Sequence, residues 1–261
     1  MYSSNRFNWT TTKLYSPHYL VWLLKQLTRV SQFTEKFYAH RIADSGSKRW
    51  KQRSLRSHRT WRLVQLPAGK KPIGRHWLFK IKRNADETVN RYKAWLVAQG
   101  FAQRPGVDYH ETFVPVARLG TIRCKLAVAA QIDYEIQQFD VDTAFLYGRM
   151  AEEVYMGQTF GYEDVSKPGM LRLLPHALYG TEQAARAWYE ASCSHFIKRG
   201  FESLKADPCV FFKTASRVEI CAVVDYADNL IDIVLKLDDI TLVRDELKEQ
   251  FGIKEFGELR C

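Results

Sequence analysis

The 261-residue chain is 46% hydrophobic and 13% aromatic, enough to build a buried core and to exclude a mainly disordered polymer. Its net charge of +10 is unevenly spread: residues 1–83 hold 19 Lys and Arg against only Glu35 and Asp44, a balance of +17, and the remainder is −7. A basic portion joined to a mildly acidic one fits a polyanion binder with a metal-binding centre, or a solvated basic surface with an arm. The longest apolar run near the N-terminus, Tyr19 to Leu24, is too short to span a bilayer, and no small-residue cleavage site follows it. No membrane association and an intracellular location, cytoplasmic or nuclear, are therefore expected. Five scattered cysteines with no CxxC pair, and seven dispersed histidines, argue against a disulfide framework and a zinc site.

Residues 1–46 lack steady periodicity and end in the linker-like "ADSGS". They hold at most a helix over Tyr19–Phe37, and the lack of acids in residues 1–34 is compatible with a mitochondrial presequence. From Trp61 the pattern sharpens. "TWRLVQLP" and "HWLFKIKR" are short runs of bulky residues, and "NADETVN" separates the second from "RYKAWLVAQGF" with turn composition. Together these predict a basic β-hairpin. "TIRCKLAVAAQ" spaces Ile122, Leu126 and Ala129 as a helix face, and "EIQQFDVDTAFLYG" predicts a strand leaving the core. "TEQAARAWYEASCSHFIKRGF" predicts a helix stopped by Gly200. "RVEICAVV" and "NLIDIVLKL" predict two strands around "DYADN". "DDITLVRDELKEQFG" predicts a last helix with Ile240, Val243, Leu247 and Phe251 on one side.

The chemistry lies in the carboxylates. In "FDVDTAF" alternation points Phe139 and Val141 one way, Asp140 and Asp142 the other. The hairpin at Asp225–Asn229 carries further acids at its tight end. Two strands whose acids meet at one sheet edge make a hard, oxygen-rich site suited to Mg²⁺, which takes one or two carboxylates and completes its shell with waters and phosphates. Two such ions roughly 4 Å apart stabilise both oxygens of a phosphoryl displacement. Taken alone, "DYADN" reads more readily as a turn with solvated side chains.

Four segments in order add a resemblance: "TWRLVQLPAGKKPIGRHWLFKIKRNADETVNRYKAWLVAQGFAQRPGVDYHETFVPVARLGTIR", "QFDVDTAFLYGRMAEEVYM", "ALYGTEQAARAWY" and "VVDYADNLIDIV". From about Trp50 onward the chain resembles the reverse transcriptase domain of copia-type LTR retrotransposons. The resemblance implies an α+β fold: a polymerase palm, an antiparallel sheet backed by helices, with a basic fingers subdomain. It places an N-terminal extension at 1–46, fingers at 47–120 and palm at 121–261. It implies RNA-directed DNA polymerase activity on an RNA or DNA template with primer and dNTPs, using Mg²⁺ or Mn²⁺.

Residue by residue, the resemblance implies that Asp140, Asp228 and Asn229 stand at the catalytic positions, with Asp140 and Asp228 as metal ligands. The family's Tyr-x-Asp-Asp is Tyr226-Ala227-Asp228-Asn229 here, so the last carboxylate is missing; Asn offers a neutral oxygen and a weakly held second cation follows. Asp225 could replace that charge only in a rearranged hairpin. Phe145 resembles the bulky gate against a nucleotide 2′-hydroxyl, or serves as plain packing. Gln183 resembles the glutamine beside the incoming nucleotide, although Thr181-Glu182 stands where Leu-Lys is usual and Ala185 where Pro is. Lys80, Lys82, Arg83 and Lys93 correspond to the basic hairpin that covers the triphosphate. Trp95 replaces an Arg there, and Glu87 a Gly with easy access to positive φ. The chain stops at "FGIKEFGELRC", where the family continues into primer grip, thumb and RNase H, which another chain would have to supply. These departures imply a truncated, drifting copy with weak or no activity. The alternatives are a catalytically silent nucleic-acid-binding relic, in which Trp50, Trp61 and Trp77 stack on bases or pack in the core, and a metal-dependent nuclease.

Overall fold

A computed structural model describes residues 60–159, 163–215, 218–235 and 237–258. The extension at 1–46, its helix over Tyr19–Phe37, Trp50, and the side chains of Lys93 and Ile240 lie outside the described set.

Alternation in "EIQQFDV" produces strand β4 (Glu135–Val141), whose burial switches face residue by residue: Ile136, Phe139 and Val141 are buried, Glu135 is exposed, and Gln138 and Asp140 are half-buried. It lies inside a six-stranded sheet in the order β11 (Ile253–Glu258), β4, β10 (Asn229–Val234), β9 (Val218–Tyr226), β8 (Asp207–Ala215) and β7 (Glu202–Leu204). Every pairing in it is antiparallel. Three α-helices are present among the described residues: α1 (Leu119–Gln131), α2 (Ala184–Lys198) and α3 (Leu237–Gln250). Each covers a helix predicted from the sequence. Gly200, at φ +81, follows α2 as its left-handed stop, with Phe201 N–H donating back to the Phe196 carbonyl at 3.0 Å.

The two sheet faces divide the helices between them. Phe139, Val141, Val223, Leu230 and Val234 pack with Trp188 and Phe196 of α2 and with Val243, Leu247 and Phe251 at α3. On the opposite face, Ile136, Ile231 and Ile233 meet Ile122, Leu126 and Ala129 of α1. Burying a side chain of this size is worth about 1.5–3 kcal/mol, so register slippage in β4 or β10 would be heavily penalised. Among the described residues the fold is mixed α/β with antiparallel sheets and three helices, consistent with the polymerase-like domain that the resemblance implies.

Before this sheet in the chain comes the predicted basic hairpin, β2 (Arg75–Arg83) against β3 (Val89–Ala98). A three-stranded sheet follows the order β1 (Arg62–Val64), β6 (Leu171–His176), β5 (Arg149–Met156). Its core takes in Leu96 and Ala98 from the hairpin base, with Trp77 and Trp61 packed against it. Both tryptophans are thus core-packed here.

Candidate active site

The tight turn joining β9 to β10 brings the two aspartates together. Asn229 pairs in register with Tyr226 on one side and with Asp140 of β4 on the other. Val141 N–H donates to the Asp228 carbonyl at 2.8 Å, extending that ladder into the turn. Asp140 and Asp228, 88 residues apart in sequence, therefore stand at one end of adjacent strands. The two-residue loop Ala227-Asp228 places Ala227 at φ +59, a conformation that costs a non-glycine residue about 1–2 kcal/mol. The Trp188 indole N–H of α2 donates to the Ala227 carbonyl and holds the strained tip.

Asp225 does not belong to this edge. It pairs in register with Leu230, on the face occupied by Phe139, and is buried with the Ser192 hydroxyl donating to its Oδ2 at 2.5 Å. Burial pushes its carboxyl up to about 7, against hydrogen bonds from Ser192 and Trp188 that lower it. The rearranged hairpin needed to replace the missing charge would break all of these contacts.

Asn229 is fixed by a polar chain. Gln138 Nε2 donates to Asn229 Oδ1 at 2.9 Å, and Asn229 Nδ2 donates to Asp228 Oδ1 at 3.0 Å. A carboxylate only accepts, so Asn229 must turn its NH₂ toward Asp228 and its oxygen away. The neutral carbonyl oxygen expected as a metal ligand is instead used by Gln138. Two carboxylates on adjacent strands suit one hard cation whose other ligands are waters and phosphates. Among the described residues no group of three His, Cys, Asp or Glu comes together as a metal site.

Around the aspartates the surroundings are mixed. Lys254 of β11 lies opposite Asp140 in register, and its ammonium pairs with the Asp142 carboxylate. Thr143 at φ +57 turns the chain into a 3-10 turn, Ala144–Tyr147, that carries Phe145. The Phe145 ring lies 4.7 Å from the Tyr179 ring, tilted by 59°. Burial, then the charges of Asp228 and Asp140, push the Tyr179 phenol up to about 12, so it stays neutral.

These blocks in this order, on this scaffold, match one family. The one described as reverse transcriptase (RNA-dependent DNA polymerase) matches residues 58–261. The chain belongs to the reverse transcriptase family. It is 38% identical over 204 residues to the retrovirus-related Pol polyprotein from transposon TNT 1-94 of Nicotiana tabacum, covering 78% of this chain and 15% of that protein. With the corresponding polyprotein from transposon RE2 of Arabidopsis thaliana it shares 40% over 204 residues, 77% of this chain and 14% of the relative. The transposon Ty1-BL Gag-Pol polyprotein of Saccharomyces cerevisiae is 31% identical over 180 residues, 68% and 10% respectively. The copia-type resemblance is thereby borne out, and the chain spans about one-seventh of the length of the first two relatives.

Other site positions of this reverse transcriptase domain are dispersed. Register pairs Lys80 with Lys93, Lys82 with Arg91 and Leu78 with Trp95, so these positions share one face of the hairpin. Like charges directly opposite destabilise a ladder, which suits a surface shaped for an anion. Arg83 is instead engaged at the turn: its Nη1 donates to the Glu87 carbonyl at 2.7 Å. Glu87 does adopt positive φ, +64. Gln183 is buried just before α2, with Nε2 donating to the Asp108 carbonyl at 3.2 Å and its Oε1 accepting from Gln103 at 3.0 Å. Its amide thus serves an interior network. Sequence reasoning missed Gln138, Trp188 and Tyr179. Alternation puts Gln138 on the Asp140 face, so it was findable; Trp188 and Tyr179 carried no such signal. No described helix is long and apolar enough to cross a membrane.

Proposed function

We propose that this domain carries the nucleotidyl-transfer centre of a copia-type RNA-directed DNA polymerase, with weak or no extension activity in this chain. One observation supports the reading: the Asn229–Asp140 register, continued by the hydrogen bond from Val141 N–H to the Asp228 carbonyl, at one end of adjacent strands β4 and β10. Asp140 and Asp228 would hold Mg²⁺, or Mn²⁺, with waters and triphosphate oxygens completing the shell. Bound there, the cation supplies Lewis-acid stabilisation of the charge that develops on phosphate oxygens. Phe145, in this reading, stands against the sugar, and Lys80, Lys82 and Lys93 face the polyanion. Arg83 and Gln183, spent on local partners, would have to be released before contributing. Residues 47–120 act as fingers and 121–261 as palm, and the template, primer and dNTPs are the partners.

A second reading, a catalytically silent binder of nucleic acid, is favoured by the Asn229 amide. It contributes no charge, and its oxygen already accepts from Gln138, so a second cation would have little to hold it. Primer extension on poly(rA)/oligo(dT), with Mg²⁺ and with Mn²⁺, separates the two. Extension that Asp140→Asn abolishes supports the polymerase. Salt-sensitive binding without extension supports the silent binder, and neither binding nor extension refutes both.

A further inference from the structure

We propose that Tyr179 is a positioning residue for the sugar side of the nucleotide site: its ring fixes Phe145 and so sets how well deoxyribonucleotides are separated from ribonucleotides. The inference rests on the nucleotidyl-transfer reading above.

Phe145 sits on a four-residue 3-10 turn and packs on one part against the main core cluster and on another against the small residues Ala177, Ala184 and Ala187. A methyl group offers little lateral resistance to a tilting ring. Tyr179 supplies the flat aromatic partner, in the tilted geometry that aromatic pairs prefer. Discrimination against a 2′-hydroxyl is a steric matter, and a wall rejects one extra oxygen only if it cannot yield by a fraction of an ångström. A gate of this kind therefore depends on whatever stands behind it.

Tyr179 is itself anchored. Its carbonyl accepts from Ala98 N–H of β3 at 2.7 Å, and Gly180, next in sequence, accepts from Gly100 N–H at 2.9 Å. Gly180 sits at φ +88, and a Cβ there would lie 2.2 Å from the Ala98 carbonyl oxygen and 2.7 Å from Val97 Cγ1. Only glycine allows so close an approach, so the backbone carrying Tyr179 is locked to the base of the basic hairpin.

The test is equilibrium binding of dGTP and of GTP to the full chain with Mg²⁺, expressed as the ratio of the two affinities. Tyr179→Ala opens space behind Phe145 and should reduce the preference for dGTP at least about fivefold. Phe145→Ala should reduce it similarly, and the double variant should fall no further than the worse single one, because both act through one wall. Tyr179→Phe keeps the ring and should keep the ratio within about twofold. If Tyr179→Ala does not fold, Tyr179→Leu, which retains bulk without a flat face, serves instead. An unchanged ratio in a folded variant that still binds dGTP overturns the proposal, as does an equal loss in Tyr179→Phe. Equal binding of dGTP and GTP by the unsubstituted chain also overturns it. No binding of either nucleotide refutes the underlying nucleotide-site reading instead.

Discussion

Asp232 gives the sharpest test of the physical account, because it opposes the fold that surrounds it. It lies in the middle of β10, paired in register with Val223 and Gln137, on the face where Leu230 and Val234 enter the core. It is completely buried, and among the described residues neither carboxyl oxygen has a hydrogen-bond partner. Burial alone pushes its carboxyl well above the usual carboxylate range. Each unsatisfied buried polar group costs about 1–3 kcal/mol. Two methyls in their place return about 1.5 kcal/mol by burial, less about 1 kcal/mol for the small void that valine leaves. Asp232→Val should therefore stabilise the domain by about 3 kcal/mol near pH 5, or about 6–12 °C for a domain of this size.

The gain must also depend on pH. Above pH 3.8 the unfolded carboxyl is ionised while the folded one keeps its proton, so folding takes up a proton and stability falls by about 1.4 kcal/mol per pH unit until the folded group ionises. Valine removes that slope, and the advantage of the variant should widen between pH 5 and pH 8. Asp225 adds a slope of the same sign, but it is present in both proteins and cancels in the difference. Urea denaturation and thermal melts at both pH values measure it. Asp232→Asn, which stays polar but cannot ionise, should lose the slope and gain less. No stabilisation by valine, or a gain equal at both pH values, would refute the reasoning and show that the carboxyl has a partner.

Four further outcomes are expected. Asp225→Asn can still accept from Ser192, and it removes the cost of protonating a group at about 7; the variant should gain about 4 kcal/mol at pH 7.5 and almost nothing at pH 4. A pH-independent effect in denaturation would contradict this. Glu87→Gly should stabilise by about 1 kcal/mol, because it relieves φ +64 and loses only an exposed ion pair at 3.9 Å; a lower melting temperature would count against the strain. Charge reversal of Lys80, Lys82 and Lys93 together should weaken single-strand binding equally across sequences and flatten its salt dependence, whereas unchanged affinity would make the basic face a mere solubilising surface. Asn229→Asp exchanges a donor to Asp228 for a like charge, so it should lower the melting temperature without divalent cation and enlarge the rise on adding Mg²⁺; an unchanged Mg²⁺ response would argue against a metal site there.

Much of this arrangement was legible because amphipathic order is written in one dimension. The alternation of "FDV" and the helical spacing of Ile122, Leu126 and Ala129 sort side chains by face, and the structure follows both. Strands β5, β6 and β8 were harder to read. Val154, Tyr155 and Met156 are consecutive and all buried, as are Cys209, Val210 and Phe211. A strand covered on both faces loses the period-two signal, and Pro175 inside β6 reads as a breaker. The site divides along the same line. Asp140 and Asp228 were found because their own types announce hard-ligand chemistry. The burial of Gln183 was not, since its partners Gln103 and Asp108 lie about 80 and 75 residues away.

The hairpin that carries the centre shows three fates for an acidic or amide side chain within eight residues. Asp228 stays at the edge, where water or a cation can reach it. Asp225, one register step inward, turns to the opposite face and accepts a hydrogen bond from Ser192. Asp232, two further pairs along, finds no hydrogen-bond partner among the described residues. The same pleat that aims Asn229 and Asp140 at one edge forces Asp225 and Asp232 inward, and their charge is opposed by burial rather than used. Trp188 links the two sides, since its indole holds the Ala227 carbonyl at the tip and also lowers the pKa of the Asp225 carboxyl beneath it. Restoring charge at Asn229 therefore loads a turn already strained at Ala227 and resting on a protonatable support. The Asn229→Asp variant should tolerate that load better with Asp225→Asn beside it, because the like charge under the hairpin is then gone.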